Sequence, residues 1–136
     1  MNMNDIHQIL QQHWGHTSFR PLQQDIIESV LEKNDTLALL PTGGGKSICF
    51  QVPALAKDGI CIVITPLIAL MQDQVEQLIN RGIQAIAINS SMSKKQIDIA
   101  LDNCIYGQIK FIYISPERLK TNLFIERAKQ MNITLL

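Results

Sequence analysis

The run Gly43-Gly44-Gly45-Lys46-Ser47 holds the residue types that binding chemistry on phosphates needs. Consecutive glycines let the backbone enter positive φ and curl, so that successive N–H groups converge on one point and cradle an anion. A lysine set directly after them supplies a positive charge for the β- and γ-phosphates of a nucleotide, and the Ser47 hydroxyl suits the accompanying Mg²⁺. Lys46 is therefore the candidate catalytic residue and Ser47 the candidate metal ligand, with Thr42, Gly43, Gly44, Gly45, Lys46 and Ser47 as the candidate nucleotide cradle. The phosphate-loop pattern G-x-x-x-x-G-K-[ST] is met at Gly45-Lys46-Ser47, but Leu40 stands where its first glycine belongs.

Such a loop works only between a strand and a helix, because the helix start adds its dipole and its orphan N–H groups to the pull on the anion. Thr36-Leu37-Ala38-Leu39-Leu40 reads as a buried parallel strand before the loop, and Ser47-Ile48-Cys49-Phe50-Gln51 opens a helix that runs to about Ala56. The alternative, a glycine-rich turn with a solvated lysine, is disfavoured by that context.

The flanking chain alternates in the same way. Ile6, Ile9 and Leu10 recur at helical spacing from Asp5 to His13, ending at Trp14-Gly15. A second helix is predicted to start at Arg20-Pro21, with Leu22, Ile26, Ile27, Val30 and Leu31 on its apolar face. Strands are predicted at Ile60–Ile64, Ala85–Ile88 and Lys110–Ile114, with a further one beginning at Ile133. Helices are predicted at Leu67–Ile79, from the Ser93 N-cap to about Cys104, and from about Asn122 to Met131. Strands alternating with helices imply a parallel sheet with right-handed crossovers, whose ligands sit outside the carboxyl ends of the strands. The phosphate loop, Thr65-Pro66 and Ser115-Pro116 are expected on that edge.

With 136 residues and 46% hydrophobic content, one globular domain with a real core is expected. No apolar run reaches the roughly 18 residues of a membrane span, and Met1-Asn2-Met3-Asn4-Asp5 lacks a signal-peptide pattern, so a soluble, cytoplasmic chain without membrane contact is expected. Cys49, Cys61 and Cys104 are odd in number and lie in apolar runs, which argues for buried thiols over disulfides or a zinc site. The formal net charge is zero, but it is unevenly spread: residues 1–93 hold five Lys/Arg against eight Asp/Glu, and residues 94–136 hold seven against four. A solvated helix face accounts for Lys94-Lys95 and Arg127/Lys129 better than a polyanion partner does.

Four stretches occur in order: Phe19-Arg20-Pro21-Leu22-Gln23, Leu40-Pro41-Thr42-Gly43-Gly44-Gly45-Lys46-Ser47, Thr65-Pro66-Leu67-Ile68-Ala69-Leu70-Met71-Gln72-Asp73-Gln74-Val75 and Ser115-Pro116-Glu117-Arg118-Leu119. From about Trp14 onward they resemble the RecQ family of superfamily 2 DNA helicases, in which Pro41-Thr42-Gly43 matches the helicase variant of the phosphate loop. The resemblance implies an α/β fold: a three-layer RecA-like P-loop NTPase lobe with a mainly parallel sheet, incomplete at the C-terminus. Residues 1–33 would be an N-terminal helical segment with the adenine-recognition motif, and residues 34–136 part of the ATP-binding lobe.

By the same resemblance Gln23 reads the adenine edge, Arg20 packs on the base, and His16 stands where relatives carry a stacking aromatic ring. Thr65, Pro66 and Leu67 match a motif that touches the backbone of single-stranded DNA, and Ser115, Pro116 and Arg118 match the next one. Arg118 is either a phosphate contact or a structural partner for Glu117, while Gln72, Asp73 and Gln74 read as solvated surface. ATP and Mg²⁺ are the implied cofactors. Single-stranded or partly duplex DNA and a second RecA-like lobe are the implied partners. The implied activity is 3′–5′ unwinding in DNA repair and recombination, with nucleoid association if the source is bacterial. The Asp-Glu-Ala-His motif expected after Thr134-Leu135-Leu136, the second lobe, the zinc module and the winged helix are absent from the sequence, so a truncated, inactive helicase fragment is expected. A non-catalytic nucleotide- or DNA-binding module and a P-loop nucleotide kinase are the alternatives; the Phe19–Gln23 and Thr65–Val75 stretches argue against the kinase.

Overall fold

The computed structural model describes residues 3–40 and 45–136. They form two compact units, one up to Asp58 and one from Gly59 onward.

The first unit is helical: α1 (Met3–Trp14), α2 (Gln23–Leu31) and α3 (Ile48–Ala56). Its core is Ile6, Leu10, Ile27 and Val52, the first two an i, i+4 pair on α1. Gly15 ends α1 as expected, at φ 75° with its N–H on the Gln11 carbonyl at 3.0 Å. The second helix starts later than its periodicity predicts, at Gln23 and not at Arg20-Pro21. Pro21 disfavours helical geometry at Arg20, and the chain turns through Leu22 at φ 71° before the helix begins.

The strand predicted at Thr36–Leu40 does not form. Leu37 and Leu39 are 85% and 78% exposed, and the segment joins no ladder among the described residues. An apolar run becomes a strand only when a neighbour takes its N–H and C=O groups, and periodicity does not supply that neighbour. Thr36 is held instead by its hydroxyl, against Ser29 Oγ at 2.9 Å and the Asn34 carbonyl at 3.0 Å.

The second unit is α/β: β1 (Ile60–Ile64), α4 (Ile68–Asn80), β2 (Ala85–Ile88), α5 (Lys94–Tyr106), β3 (Phe111–Ile114), α6 (Pro116–Leu119), α7 (Asn122–Ala128) and β4 (Ile133–Leu135). The strands pair in the order β2-β3-β1-β4 and every pairing is parallel, as the alternation predicts. β3 is buried along its whole length, so its alternate side chains report both faces of the sheet. Ile112 and Ile114 pack with Ile97, Leu101 and Phe124 from α5 and α7. Tyr113 points the other way, its hydroxyl donating to Gln74 on α4. Helices therefore cover both faces, and within this unit the layers number three. The Ser93 N-cap is present as a full capping box with Gln96.

On the α5 side Arg127 of α7 bridges Asp98, at 3.0 Å, and Asp102. All three side chains are partly exposed, so Arg127→Ala should cost only about 1 kcal/mol or less. The expected readout is a lower urea midpoint with an unchanged slope.

Cys49, Cys61 and Cys104 are all buried free thiols. Burial pushes Cys61 up to about 12, with Lys110 pulling the other way, and burial alone takes Cys104 to about 12. Cys49 is raised for the same reason. A raised folded-state value means that these thiols stabilise the fold below pH ~9 and that the contribution fades as pH climbs from there toward 12. Alkylation followed by mass spectrometry should leave Cys61 and Cys104 unlabelled in the folded protein at neutral pH and label both in denaturant, because only the thiolate reacts. No described helix is long and apolar enough to cross a membrane.

Candidate nucleotide site and sheet-edge turns

Gln23 organises the nucleotide candidates. It is 2% exposed, and a buried carboxamide must place both its polar ends. Its Oε1 accepts from the Arg20 backbone N–H at 2.7 Å, closing the turn that starts α2. Its Nε2 donates to the Gly45 carbonyl at 3.1 Å, across 22 residues of chain. Gly45 sits at φ 74°, where side chains are strained, and a Cβ there would strike Gln23 Nε2. The same position lies 4.0 Å from Arg20 Cδ. Arg20, Gln23 and Gly45 thus come together; the positive φ favours glycine there, and an added Cβ would also press on the end of the Gln23 side chain.

The Gly45 carbonyl also receives Cys49 Sγ at 3.9 Å. In a trans peptide the C=O and the following N–H point opposite ways. Holding this carbonyl toward Gln23 and Cys49 therefore turns the Lys46 N–H to the opposite side, at the entrance to α3. The first backbone N–H groups of any helix lack intrahelical acceptors; here the ladder begins with Cys49 N–H on Lys46 and Gln51 N–H on Ser47. Lys46 is exposed, and Ser47 occupies the N-cap without using its hydroxyl to cap α3. A positive-φ glycine, a serine hydroxyl not used in capping and an exposed lysine at a helix start fit a Mg²⁺-bound phosphate chain. Thr42, Gly43 and Gly44 lie outside the described residues. His16 is exposed and makes no ring contact among the described residues, whereas Phe19 stands edge-on to His7 with centroids 4.9 Å apart.

In the second unit the Thr65 and Ser115 turns lie side by side at the carboxyl ends of β1 and β3. Thr65 N–H bonds the Ile114 carbonyl at 3.1 Å, and Ser115 N–H bonds the Ile88 carbonyl at 3.2 Å. Thr65 Oγ1 accepts from Leu67 N–H at 3.3 Å, which folds the turn so that Pro66 and Leu67 face solvent. Ser115 is buried, and its hydroxyl accepts from Arg118 N–H at 3.4 Å as the cap of the short α6, with Pro116 as the first helical residue. The Arg118 guanidinium reaches the Ser90 carbonyl at 3.5 Å and the Met92 carbonyl at 3.4 Å. No ion pair with Glu117 occurs among the described residues; Arg118 ties the loop after β2 to α6.

Gln74 departs from the solvated surface expected for Gln72-Asp73-Gln74. Gln72 and Asp73 are exposed, but Gln74 is half-buried and accepts from the hydroxyl of the buried Tyr113 at 2.7 Å. A signal for this exists in the sequence. Gln74 is three residues after Met71 and four before Leu78, both fully buried, so it shares their helix face.

The DEAD/DEAH box helicase family matches residues 20–136 of this chain. A probable ATP-dependent DNA helicase RecS from Bacillus subtilis is 44% identical over 134 residues, covering 98% of this chain and 27% of the relative. The ATP-dependent DNA helicase RecQ of Haemophilus influenzae is 44% identical over 87% of this chain and 19% of its own length. ATP-dependent DNA helicase Q1 of Mus musculus is 38% identical over 92% of this chain and 20% of its own. The chain thus spans about a fifth to a quarter of the curated relatives it matches. With the family pattern running from Arg20 to the last residue, through the glutamine, the phosphate loop and both sheet-edge turns, this chain belongs to the DEAD/DEAH box helicase family.

Proposed function

We propose that this chain is the ATP- and DNA-binding part of a RecQ-type helicase that couples ATP hydrolysis to 3′–5′ DNA unwinding in repair and recombination, working in the cytoplasm. In this reading residues 1–33 carry adenine recognition and residues 34–136 the partial lobe. Lys46 holds the β- and γ-phosphates, Thr42, Gly43, Gly44 and Gly45 are the residues assigned to the cradle, and Ser47 offers its hydroxyl to Mg²⁺. Bound Mg²⁺ supplies charge neutralisation on the phosphates. Arg20 and His16 flank the base, and Gln23 reads its edge by exchanging the Arg20 and Gly45 bonds that occupy its buried carboxamide without nucleotide. Thr65, Pro66 and Leu67 offer the exposed turn for the DNA backbone. Ser115, Pro116 and Arg118 build the neighbouring turn, Ser115 through its cap and Arg118 through its hold on the loop after β2.

One observation carries the nucleotide reading: the Gln23 Nε2 bond to Gly45, which joins the adenine motif to the phosphate loop. Base recognition and loop geometry then pass through a single side chain. Calorimetry of Mg²⁺-ATP and Mg²⁺-GTP on the chain tests it. The chain should prefer ATP, and Gln23→Ala should weaken both nucleotides by about 2- to 10-fold with the larger loss for ATP. Loss for GTP equal to that for ATP would remove adenine reading and leave the loop-holding role; no loss for either would remove both.

A further inference from the structure

We infer that Gln74 and Tyr113 are positioning residues for single-stranded DNA, their hydrogen bond setting the pose of the Thr65-Pro66-Leu67 turn against the Ser115 turn. The inference rests on the reading of those turns as DNA contacts.

The two turns belong to different elements. Leu67 is the N-cap of α4, and its carbonyl accepts from Met71 N–H at 3.0 Å, so the turn moves with the helix. The Ser115 turn is fixed to the end of β3, the buried centre of the sheet. What α4 presents to the sheet is largely apolar, with Met71 and Leu78 fully buried. Such contact is non-directional and fixes the roll of the helix less sharply than a hydrogen bond does. A hydrogen bond is directional and removes that freedom.

Tyr113 supplies one. It is 1% exposed, in the middle of a strand where phenylalanine would fill the core as well. A phenol O–H at such depth is costly unless accepted, and Gln74 Oε1 accepts it at 2.7 Å over 39 residues of sequence. The bond closes a circuit. Thr65 N–H binds the Ile114 carbonyl, Ile114 follows Tyr113 on β3, Tyr113 O–H binds Gln74, and Gln74 leads back along α4 to Leu67 and Thr65. Every link is a covalent neighbour or a hydrogen bond, so the exposed faces of Pro66 and Leu67 are held in fixed relation to Ser115.

The test measures single-stranded DNA affinity by fluorescence anisotropy, Mg²⁺-ATP affinity by calorimetry and thermal midpoint for the parent, Tyr113→Phe, Gln74→Leu, Gln74→Glu and the Tyr113→Phe/Gln74→Leu pair. Tyr113→Phe and Gln74→Leu should each weaken DNA binding by about 3- to 10-fold with ATP affinity unchanged. The pair should lose no more than either alone, since both remove one bond. Gln74→Glu keeps an acceptor and should retain most of the affinity. DNA affinity within about twofold of the parent in both single variants, or equal proportional loss of ATP and DNA affinity, overturns the inference. So does a lowered thermal midpoint with DNA binding intact, which marks a purely structural bond. If the parent binds DNA and the variants match it, only the positioning role falls; a folded parent that binds no DNA overturns the DNA reading of the turns along with it.

Discussion

Lys46→Ala is expected to lower Mg²⁺-ATP affinity by about 10- to 100-fold while leaving the fold intact. The magnitude follows from what is removed: a charge-assisted hydrogen bond to phosphate contributes about 1.5–3 kcal/mol, and each 1.4 kcal/mol is about tenfold in affinity. The separation from folding follows from where the residue sits. Lys46 is exposed at the entrance to α3, and the core of its unit is Ile6, Leu10, Ile27 and Val52. Circular dichroism and the thermal midpoint should therefore match the parent's. Calorimetry with Mg²⁺-ATP reads the loss, and it should be similar for GTP because the lysine meets phosphate and no base. Unchanged affinity in a folded variant would take the phosphate role from Lys46 and with it the reading of the glycine run as a nucleotide cradle. A reduced loss at high salt would agree with a screened ammonium–phosphate attraction.

The elements that sequence shows most clearly are those whose pattern is local. The apolar runs at Ile60–Ile64, Ala85–Ile88 and Phe111–Ile114 each form a strand where the run lies, the third buried throughout and the other two in part. Ser93 followed three residues later by Gln96 is a complete helix-start signal within four positions, and its capping box is present. Thr36–Leu40 carries an equally apolar run and yet pairs with nothing among the described residues. Strand formation is a two-body event, and one of the bodies is invisible to periodicity.

The candidate site divides along the same line. The glycine run, Lys46 and Ser47 are legible because their chemistry is contiguous. What they do to one another through space is not. That Gln23 spends its carboxamide on Arg20 and Gly45 depends on a contact across 22 residues. That Arg118 holds Ser90 and Met92 and leaves Glu117 aside depends on the loop after β2 passing close to α6. Gln74 lies between these cases: its spacing from Met71 and Leu78 assigns it to the buried face, while its partner on β3 comes from the fold.

Gly45→Ala should be nearly as damaging to nucleotide binding as loss of the lysine, for a reason that involves no charge. The residue sits at φ 74°, and its added methyl would meet Gln23 Nε2. A non-glycine residue in the left-handed region costs about 1 kcal/mol or more, and relief by changing φ would swing the Gly45 carbonyl away from Gln23 and Cys49. Relief by moving Gln23 would instead leave a buried carboxamide without its acceptor, at about 1–3 kcal/mol. The first route reorients the Gly45–Lys46 peptide, and with it the N–H at the start of α3; the second removes the Gln23 bond that helps to aim that peptide. ATP and GTP affinity should both fall by about tenfold or more, in contrast to Gln23→Ala, where the loss falls more heavily on ATP. The pair Gly45→Ala/Gln23→Ala discriminates further. If the clash with Gln23 is the main injury, removing the glutamine should recover part of the GTP affinity that Gly45→Ala loses, since the methyl then has room. If backbone strain dominates, the double variant should bind no better than Gly45→Ala alone. GTP affinity unchanged by Gly45→Ala would mean that the Gly45 carbonyl is not what aims the loop, and the role of the Gln23 bond in phosphate binding would fall with it.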